Sequence, residues 1–274
     1  DGDYLADVIT LVVISFRLMP SFNRIISEAF VIKFNYPVIE KAIDLSFVSE
    51  KNIVKKIKNK SKFKFNNQIK LSNIYFKYNS SKNFIFKNYS IQIIKNKITA
   101  ITGKSGVGKT TLINIICGLL KLDSGKFLLD KIKINNHKDL ISWSKNVSLF
   151  SQDSFIFNGS IKENILFGEK LDSERLKKIC EKMNIFEFIT YRNLDRLIDP
   201  YKNNLSSGQI QRILLARTLY KKSMIYIFDE PTTNLDKLNK KRFMNYLKNN
   251  KYTYLVVSHD QELLKKADKL ITIK

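Results

Sequence analysis

Apolar and polar positions along the 274 residues follow three successive rhythms. Residues 8–19 are apolar almost without interruption, broken by Arg17, and this run is shorter than the roughly 20 apolar residues a membrane-spanning helix needs. After Pro20, the spacing of Phe22, Ile25, Ile26, Ala29 and Phe30 predicts an amphipathic helix that continues past a kink. From residue 69 the period becomes two. Ile69, Leu71, Ile74 and Phe76 predict a strand, and Phe84, Ile85, Phe86 and residues 91–94 predict further strands beyond a turn at Asn79, Ser80, Ser81 and Lys82. Residues 97–102, 226–228 and 254–257 are short apolar stretches of the kind buried in a parallel sheet. Residues 110–120 have the spacing of a helix packed against it, and residues 160–198, rich in helix formers, predict a mostly helical insertion. The chain ends at Leu270, Ile271, Thr272, Ile273 and Lys274, within a predicted strand. No internal repeat is visible.

Charge changes this picture little. Lys and Arg number 48 against 25 Asp and Glu, a formal net charge of +23. The lysines are spread along a chain also rich in Asn and Ile, which reads as compositional drift rather than a binding face. No nucleic-acid module is recognisable, so nucleic acid is not an expected partner. The densest basic stretch, residues 51–65, reads as a solvated linker over 51–66, with an anionic membrane surface as its alternative partner. Cys117 and Cys180 form no spacing motif and do not suggest a disulfide framework, which fits a reducing, cytoplasmic compartment. Cys117 is expected to be a small core residue, and His137 to face solvent.

The candidate chemistry lies between residues 98 and 260. Gly103, Lys104, Ser105, Gly106, Val107, Gly108, Lys109 and Thr110 fit the phosphate-binding loop G-x-x-x-x-G-K-[ST], between a predicted strand and a predicted helix. Glycines let successive backbone N–H groups converge on phosphate oxygens, and the helix N-terminus, including Thr111, favours the negative charge. Lys109 would reach the β- and γ-phosphates, and the Thr110 hydroxyl would ligate Mg²⁺. Asp229 and Glu230 end an apolar strand, where open α/β sheets bind ligands. Asp229 would hold Mg²⁺, and Glu230 would act as general base towards the attacking water. Leu205, Ser206, Ser207, Gly208 and Gln209 precede a predicted helix, so Ser206 and the first free N–H groups form a second candidate anion site.

With these three motifs in this order, the chain from about residue 68 to its end resembles the ATP-binding cassette (ABC) family. The resemblance implies an α/β fold: a P-loop NTPase (RecA-like) core with an antiparallel β subdomain and a helical subdomain at about 154–204. It implies ATP and Mg²⁺ as cofactors. It also assigns Tyr78 to stacking on adenine, Gln152 to sensing Mg²⁺ and water, and His259 to contacting the γ-phosphate. Asn234, Leu235 and Asp236 fit the loop that crosses to a second cassette. Ser206, Ser207, Gly208 and Gln209 would cover ATP held by that second cassette, so the chemistry needs a head-to-tail pair, and a homodimer is expected. Ser207 stands where the family has glycine, which would weaken the site if that position needs a conformation open only to glycine.

Phe157, Gly159, Ser160, Ile161, Asn164 and Ile165 fit the F-x-G-[ST]-I-x-x-N-I stretch of exporter cassettes. Ile198, Asp199, Pro200, Tyr201 and Lys202 replace the usual Val-Gly-Glu-like stretch, which puts the usual cross-contact to membrane helices in doubt. Residues 16–25 look like the membrane-exit segment of flippases for lipid-linked oligosaccharides. The resemblance therefore implies an exporter-type half-transporter at the inner membrane with its ATPase on the cytoplasmic side. Its expected layout is the end of a transmembrane domain at 1–50, the linker at 51–66 and the cassette at 67–274, with both ends truncated. Open alternatives are an importer's cytosolic ATPase subunit, a non-transport ABC ATPase acting on nucleic acid, and a non-catalytic interaction protein.

Overall fold

The computed structural model describes residues 2–53, 63–198 and 205–273. It divides into two units, Asp1–Lys58 and Asn59–Lys274.

The first unit is one helix, α1 (Gly2–Ile53), which runs through Pro20 and Pro37. This corrects the short apolar run. The stretch Val8–Glu40 has a mean hydropathy of 1.4 and is, by length and composition, able to cross a membrane. The expected amphipathic pattern is also absent. Val8, Ile9, Leu11, Val13 and Ile14 point in all directions round the axis and are all exposed, as are Phe22, Ile26, Phe30 and Phe34 further along. A helix that is apolar all round over this length has the composition of a membrane-spanning segment rather than of a half-buried surface helix.

The second unit is built on two sheets. Its elements, in chain order, begin with β1 (Gln68–Phe76), β2 (Phe86–Ile94), β3 (Ile98–Gly103), α2 (Lys109–Ile116), β4 (Ser124–Leu129), β5 (Ile132–Lys133), α3 (His137–Ser144) and β6 (Val147–Phe150). Next come β7 (Gly159–Ser160), α4 (Ile161–Leu166), α5 (Ser173–Lys182), β8 (Leu197–Ile198), α6 (Ser207–Tyr220), β9 (Ile225–Asp229), α7 (Lys237–Asn249), β10 (Tyr254–Val257), α8 (Gln261–Lys266) and β11 (Lys269–Ile273). An antiparallel sheet has the order β2-β1-β4-β5, and a five-stranded sheet the order β11-β3-β10-β9-β6. Every pairing in the five-stranded sheet is parallel.

Alternation within its central strands explains why those strands read as unbroken apolar runs. Tyr226, Phe228, Tyr254 and Val256 face one core with α6 and α7, while Ile225, Ile227, Leu255 and Val257 face the other with α2. Successive side chains of a strand point to opposite faces, and here both faces are covered.

Two predicted boundaries move. α2 stops at Ile116 rather than residue 120, because Gly118 turns left-handed (φ 77°) and the Leu119 amide bonds back to the Asn114 carbonyl at 2.9 Å, a glycine-based helix stop. The packed unit also starts earlier than residue 67. Phe63 and Phe65 are buried, and Phe63 meets Trp143 edge-on at 6.1 Å. Most of the expected basic linker, residues 54–62, lies outside the described residues, as do Asp199, Pro200, Tyr201 and Lys202.

The helical insertion contains α4, α5 and two 3-10 turns, and the β7–β8 pair closes it. Physical roles for the motif at 157–165 are visible. Ser160 caps α4 reciprocally with Glu163. The Asn164 amide bonds to Phe157 N, Phe157 O and Ser160 O, and Arg217 of α6 donates to Asn164 and to Phe155 O.

Candidate active site

Parallel pairing brings the candidate chemistry together. β3, β6, β9 and β10 point the same way, with Val257 opposite both Ile101 and Asp229, and Phe150 opposite Phe228. The segments leaving these strands therefore emerge side by side at one edge: the loop 103–108, then Gln152, Asp229, Glu230 and His259. Ser105, Gly106, Gly108, Lys109, Thr110, Thr111, Gln152, Asp229, Glu230 and His259 line one cavity of about 510 Å³.

The loop 103–108 curls where glycine permits it. Gly108 has φ 100° and caps α2, and a Cβ there would fall 2.6 Å from the Ile85 side chain. Lys109 Nζ donates to Gly103 O at 2.7 Å and Lys104 O at 3.0 Å, so the ammonium lies along the loop's inner face. Gly103, Lys104 and Val107 line a neighbouring apolar hollow of about 640 Å³ together with His259.

Thr110 Oγ1 donates to Asp229 Oδ2 at 3.4 Å. Burial pushes the Asp229 carboxyl above its ordinary range, and the bond from Thr110 partly opposes this. A buried carboxylate beside a hydroxyl and the Gln152 amide is a hard-oxygen set. It fits Mg²⁺, which takes one or two protein oxygens and draws its remaining ligands from phosphate and water. Among the described residues no cluster of three or more His, Cys, Asp or Glu offers another metal site.

Glu230 follows with φ 51°, a left-handed backbone unusual for a side chain of its size. Its amide bonds to Val257 O at 2.9 Å, and Thr233 Oγ1 donates to its carbonyl at 3.1 Å. Ser258 Oγ lies 3.4 Å from Oε2, while Oε1 is buried without a hydrogen-bond partner. Glu230 also lines the phosphate-sized cavity, and a carboxylate there can accept a proton from water. Sequence reasoning missed Thr233 and Ser258, whose only signal was adjacency to the acidic strand and to His259.

Two predicted groups stand outside this cavity. Tyr78 lies beside it, its hydroxyl 3.3 Å from Thr111 Oγ1 and its ring edge-on to Phe76. Ser206, Ser207, Gly208 and Gln209 do not line it. Ser206 caps α6, accepting from Gln209 N at 3.2 Å, while the Gln209 side chain accepts from Ser206 N at 2.9 Å. Ser207 opens the helix and is not among the described residues with positive φ, so the feared need for glycine at this position is absent. The demand falls on Gly208, where a Cβ would lie 2.9 Å from Asn234 O. His137 is exposed, as expected.

Comparison with known proteins agrees with this geometry. Residues 86–233 match the family model described as ABC transporter. The chain is 35% identical over 202 residues to the colicin V secretion/processing ATP-binding protein CvaB of Escherichia coli, covering 72% of this chain and 29% of that protein. It is 31% identical over 212 residues to the ATP-dependent lipid A-core flippase of Pasteurella multocida, covering 75% and 36%. It thus spans about a third of the length of these curated relatives. The structure of a bacterial Atm1-family ABC exporter with ATP bound shares the fold, with a TM-score of 0.71 at 22% identity over 86% of this chain and 43% of that one. The matched region is the ATP-binding domain of such transporters, which implies ATPase activity, and the chain belongs to the ABC transporter family.

Proposed function

We propose that this chain is the ATPase end of an exporter-type ABC half-transporter. It pairs head to tail with a second copy on the cytoplasmic side of the inner membrane. The observation that carries this reading is the convergence of the loop 103–108, Gln152, Asp229, Glu230 and His259 on one cavity that Ser206, Ser207 and Gly208 do not reach. A second copy supplies those three, covering the γ-phosphate from the opposite side. α1 supports attachment to a membrane-spanning part, and the relatives support export.

The residues divide the work. Backbone N–H groups of the loop and the start of α2 hold the phosphates, and Lys109 leaves its loop carbonyls to reach the β- and γ-oxygens. Tyr78 offers its ring to adenine. Thr110, Gln152 and Asp229 would hold Mg²⁺, which would supply positive charge against the phosphates. The Glu230 carboxylate accepts a proton from the attacking water, and His259 steadies the γ-phosphate. Closure of the two cassettes drives the membrane helices outward, and hydrolysis resets them. The cargo we propose is a lipid-linked oligosaccharide, lipid or peptide.

The test is ATP-driven movement in vesicles carrying the full-length protein with its nucleotide site outside. Labelled lipid-linked oligosaccharide, lipid and peptide are offered in turn. ATP-dependent movement of one of them, lost in Glu230→Gln along with at least about 100-fold of the ATPase rate, supports the reading. Parental hydrolysis in Glu230→Gln overturns the catalytic assignment, and ATP turnover without movement of any cargo overturns the proposed cargo.

A further inference from the structure

The carboxylate that handles water and the helix end that meets the other copy's nucleotide are joined inside one chain by a single buried amide. Gln211, on the second turn of α6, is 5% exposed. Its Nε2 donates to Pro231 O, and its Oε1 accepts from Asn234 N at 3.0 Å. Both halves of the amide are thus spent on backbone groups of the segment that immediately follows Glu230.

Besides the Glu230 amide's bond to Val257 O, few other hydrogen bonds among the described residues hold that segment near Glu230. Thr233 Oγ1 closes back on the Glu230 carbonyl at 3.1 Å, and Leu235 N bonds to Thr232 O at 3.2 Å, both within the loop. Thr232 Oγ1 reaches Asp260 at 3.4 Å. One turn before Gln211, the Gly208 backbone sits so close to Asn234 O that a Cβ would come within 2.9 Å. Residues 206–211 and 230–234 are therefore in direct backbone contact at one point and bridged by a buried amide at another. The amide cannot let go cheaply, because release would strand the buried Gln211 side chain and the Pro231 carbonyl away from water.

We propose that Gln211 is a positioning residue that makes the start of α6 and the Glu230 loop move as one body. A displacement of Ser206, Ser207 and Gly208, when they engage the other copy's ATP, then shifts the Glu230 carboxylate in this chain's own site. Gln211 touches neither nucleotide nor water; it acts through Pro231 and Asn234. This inference rests on the roles proposed above for Glu230 and for residues 206–208.

Two variants test it in the full-length protein in lipid nanodiscs. Gln211→Met keeps the length and removes both bonds. Gln211→Glu keeps the acceptor for Asn234 N and, when ionised, lacks the donor for Pro231 O; protonation restores that donor. For Gln211→Met, we expect kcat to fall about tenfold or more with KM for ATP within about twofold, since a small misplacement of a reacting group costs rate rather than binding. We expect its Hill coefficient for ATP to fall towards 1. For Gln211→Glu, kcat relative to the parent should rise as pH is lowered from about 8 to about 6.

Parental kcat and cooperativity in Gln211→Met overturn the proposal. So does a parallel loss of kcat, nucleotide affinity and melting temperature, which marks a merely structural residue. Should Gln211→Met not fold, the pH profile of Gln211→Glu decides, and a flat ratio overturns the proposal. Failure of the underlying reading shows separately, as undiminished hydrolysis in Glu230→Gln.

Discussion

Nε2 of His259 lies 3.7 Å from Oε1 of Glu230. The same nitrogen is 3.4 Å from the Lys109 ammonium. One ring nitrogen thus faces both the group proposed to hold phosphate and the group proposed to accept a proton, and that carboxylate oxygen has no hydrogen bond of its own. His259→Ala should lower kcat about 100-fold, within the range for losing one donor aimed at charge developing in the transition state, and change ATP affinity by less than about threefold. Steady-state phosphate release together with equilibrium nucleotide binding checks both.

Asp229 ties stability to pH. Its carboxyl titrates above the ordinary value because it is buried, so the folded chain binds that proton more tightly than the unfolded chain does. Ionised Asp229 therefore costs stability at neutral pH. The cost is relieved as pH falls through the raised folded value towards about 3.9, the unfolded one. Asp229→Asn should melt at a higher temperature than the parent at neutral pH without nucleotide or Mg²⁺, and the gain should vanish below about pH 3.9. Melting curves across pH decide, and a gain that persists in acid contradicts the assignment. The Mg²⁺ concentration for half-maximal ATPase in the parent should rise over the same descent.

Gly208 and Ser207 should respond in opposite ways. Gly208→Ala puts a Cβ 2.9 Å from Asn234 O, forcing helix and loop apart. We expect at least about a tenfold loss of kcat from displaced groups. Ser207→Gly, in ordinary helical backbone, should cost no more than about 1 kcal/mol and leave kcat within about twofold. Urea unfolding and ATPase assays of the two variants measure the contrast.

Arg217 holds the segment at 155–167 against α6. It donates to Asn164 O at 2.6 Å, Phe155 O at 2.8 Å and Asn164 Oδ1 at 2.8 Å, with the Phe167 ring 4.8 Å from its guanidinium. Burial draws it down to about 10, still charged at neutral pH. Arg217→Met should destabilise the domain by about 2–3 kcal/mol, since charged hydrogen bonds are lost and buried acceptors stranded. Thermal melting should show a fall of roughly 4–12 °C.

Cys117 and Cys180 are buried, and burial pushes both thiols up to about 12. Because the thiolate is the reactive form, neither should be alkylated at neutral pH in the folded protein, and both should react in denaturant. Mass spectrometry after brief exposure to iodoacetamide reads this directly.

The parts of the site legible in the sequence were those whose chemistry is packed into consecutive residues. The loop from Gly103 to Thr110 is such a part, and so are Asp229 and Glu230 at the end of an all-apolar strand. Gln211 and Ser258 escaped because their partners lie on other elements, and only the fold brings them together; Thr233 closes a local turn on the Glu230 carbonyl, which no motif marks. The apolar stretch of the first helix was read as ending at residue 19 because Arg17 and Pro20 interrupt it locally, whereas it runs over Val8–Glu40. The antiparallel sheet was the easier case, since a period of two survives on a half-covered surface, as in Ile69, Leu71, Ile74 and Phe76.

Glu230 holds its left-handed backbone at φ 51°, where a residue with a side chain is disfavoured by about 1–2 kcal/mol. Glycine would relieve that strain. A lineage selected only for heat resistance would therefore drift towards glycine at this position and arrive at a hardier protein that no longer turns over. Endurance and activity oppose each other at a single Cα, so the carboxylate persists there only while its chemistry is in use.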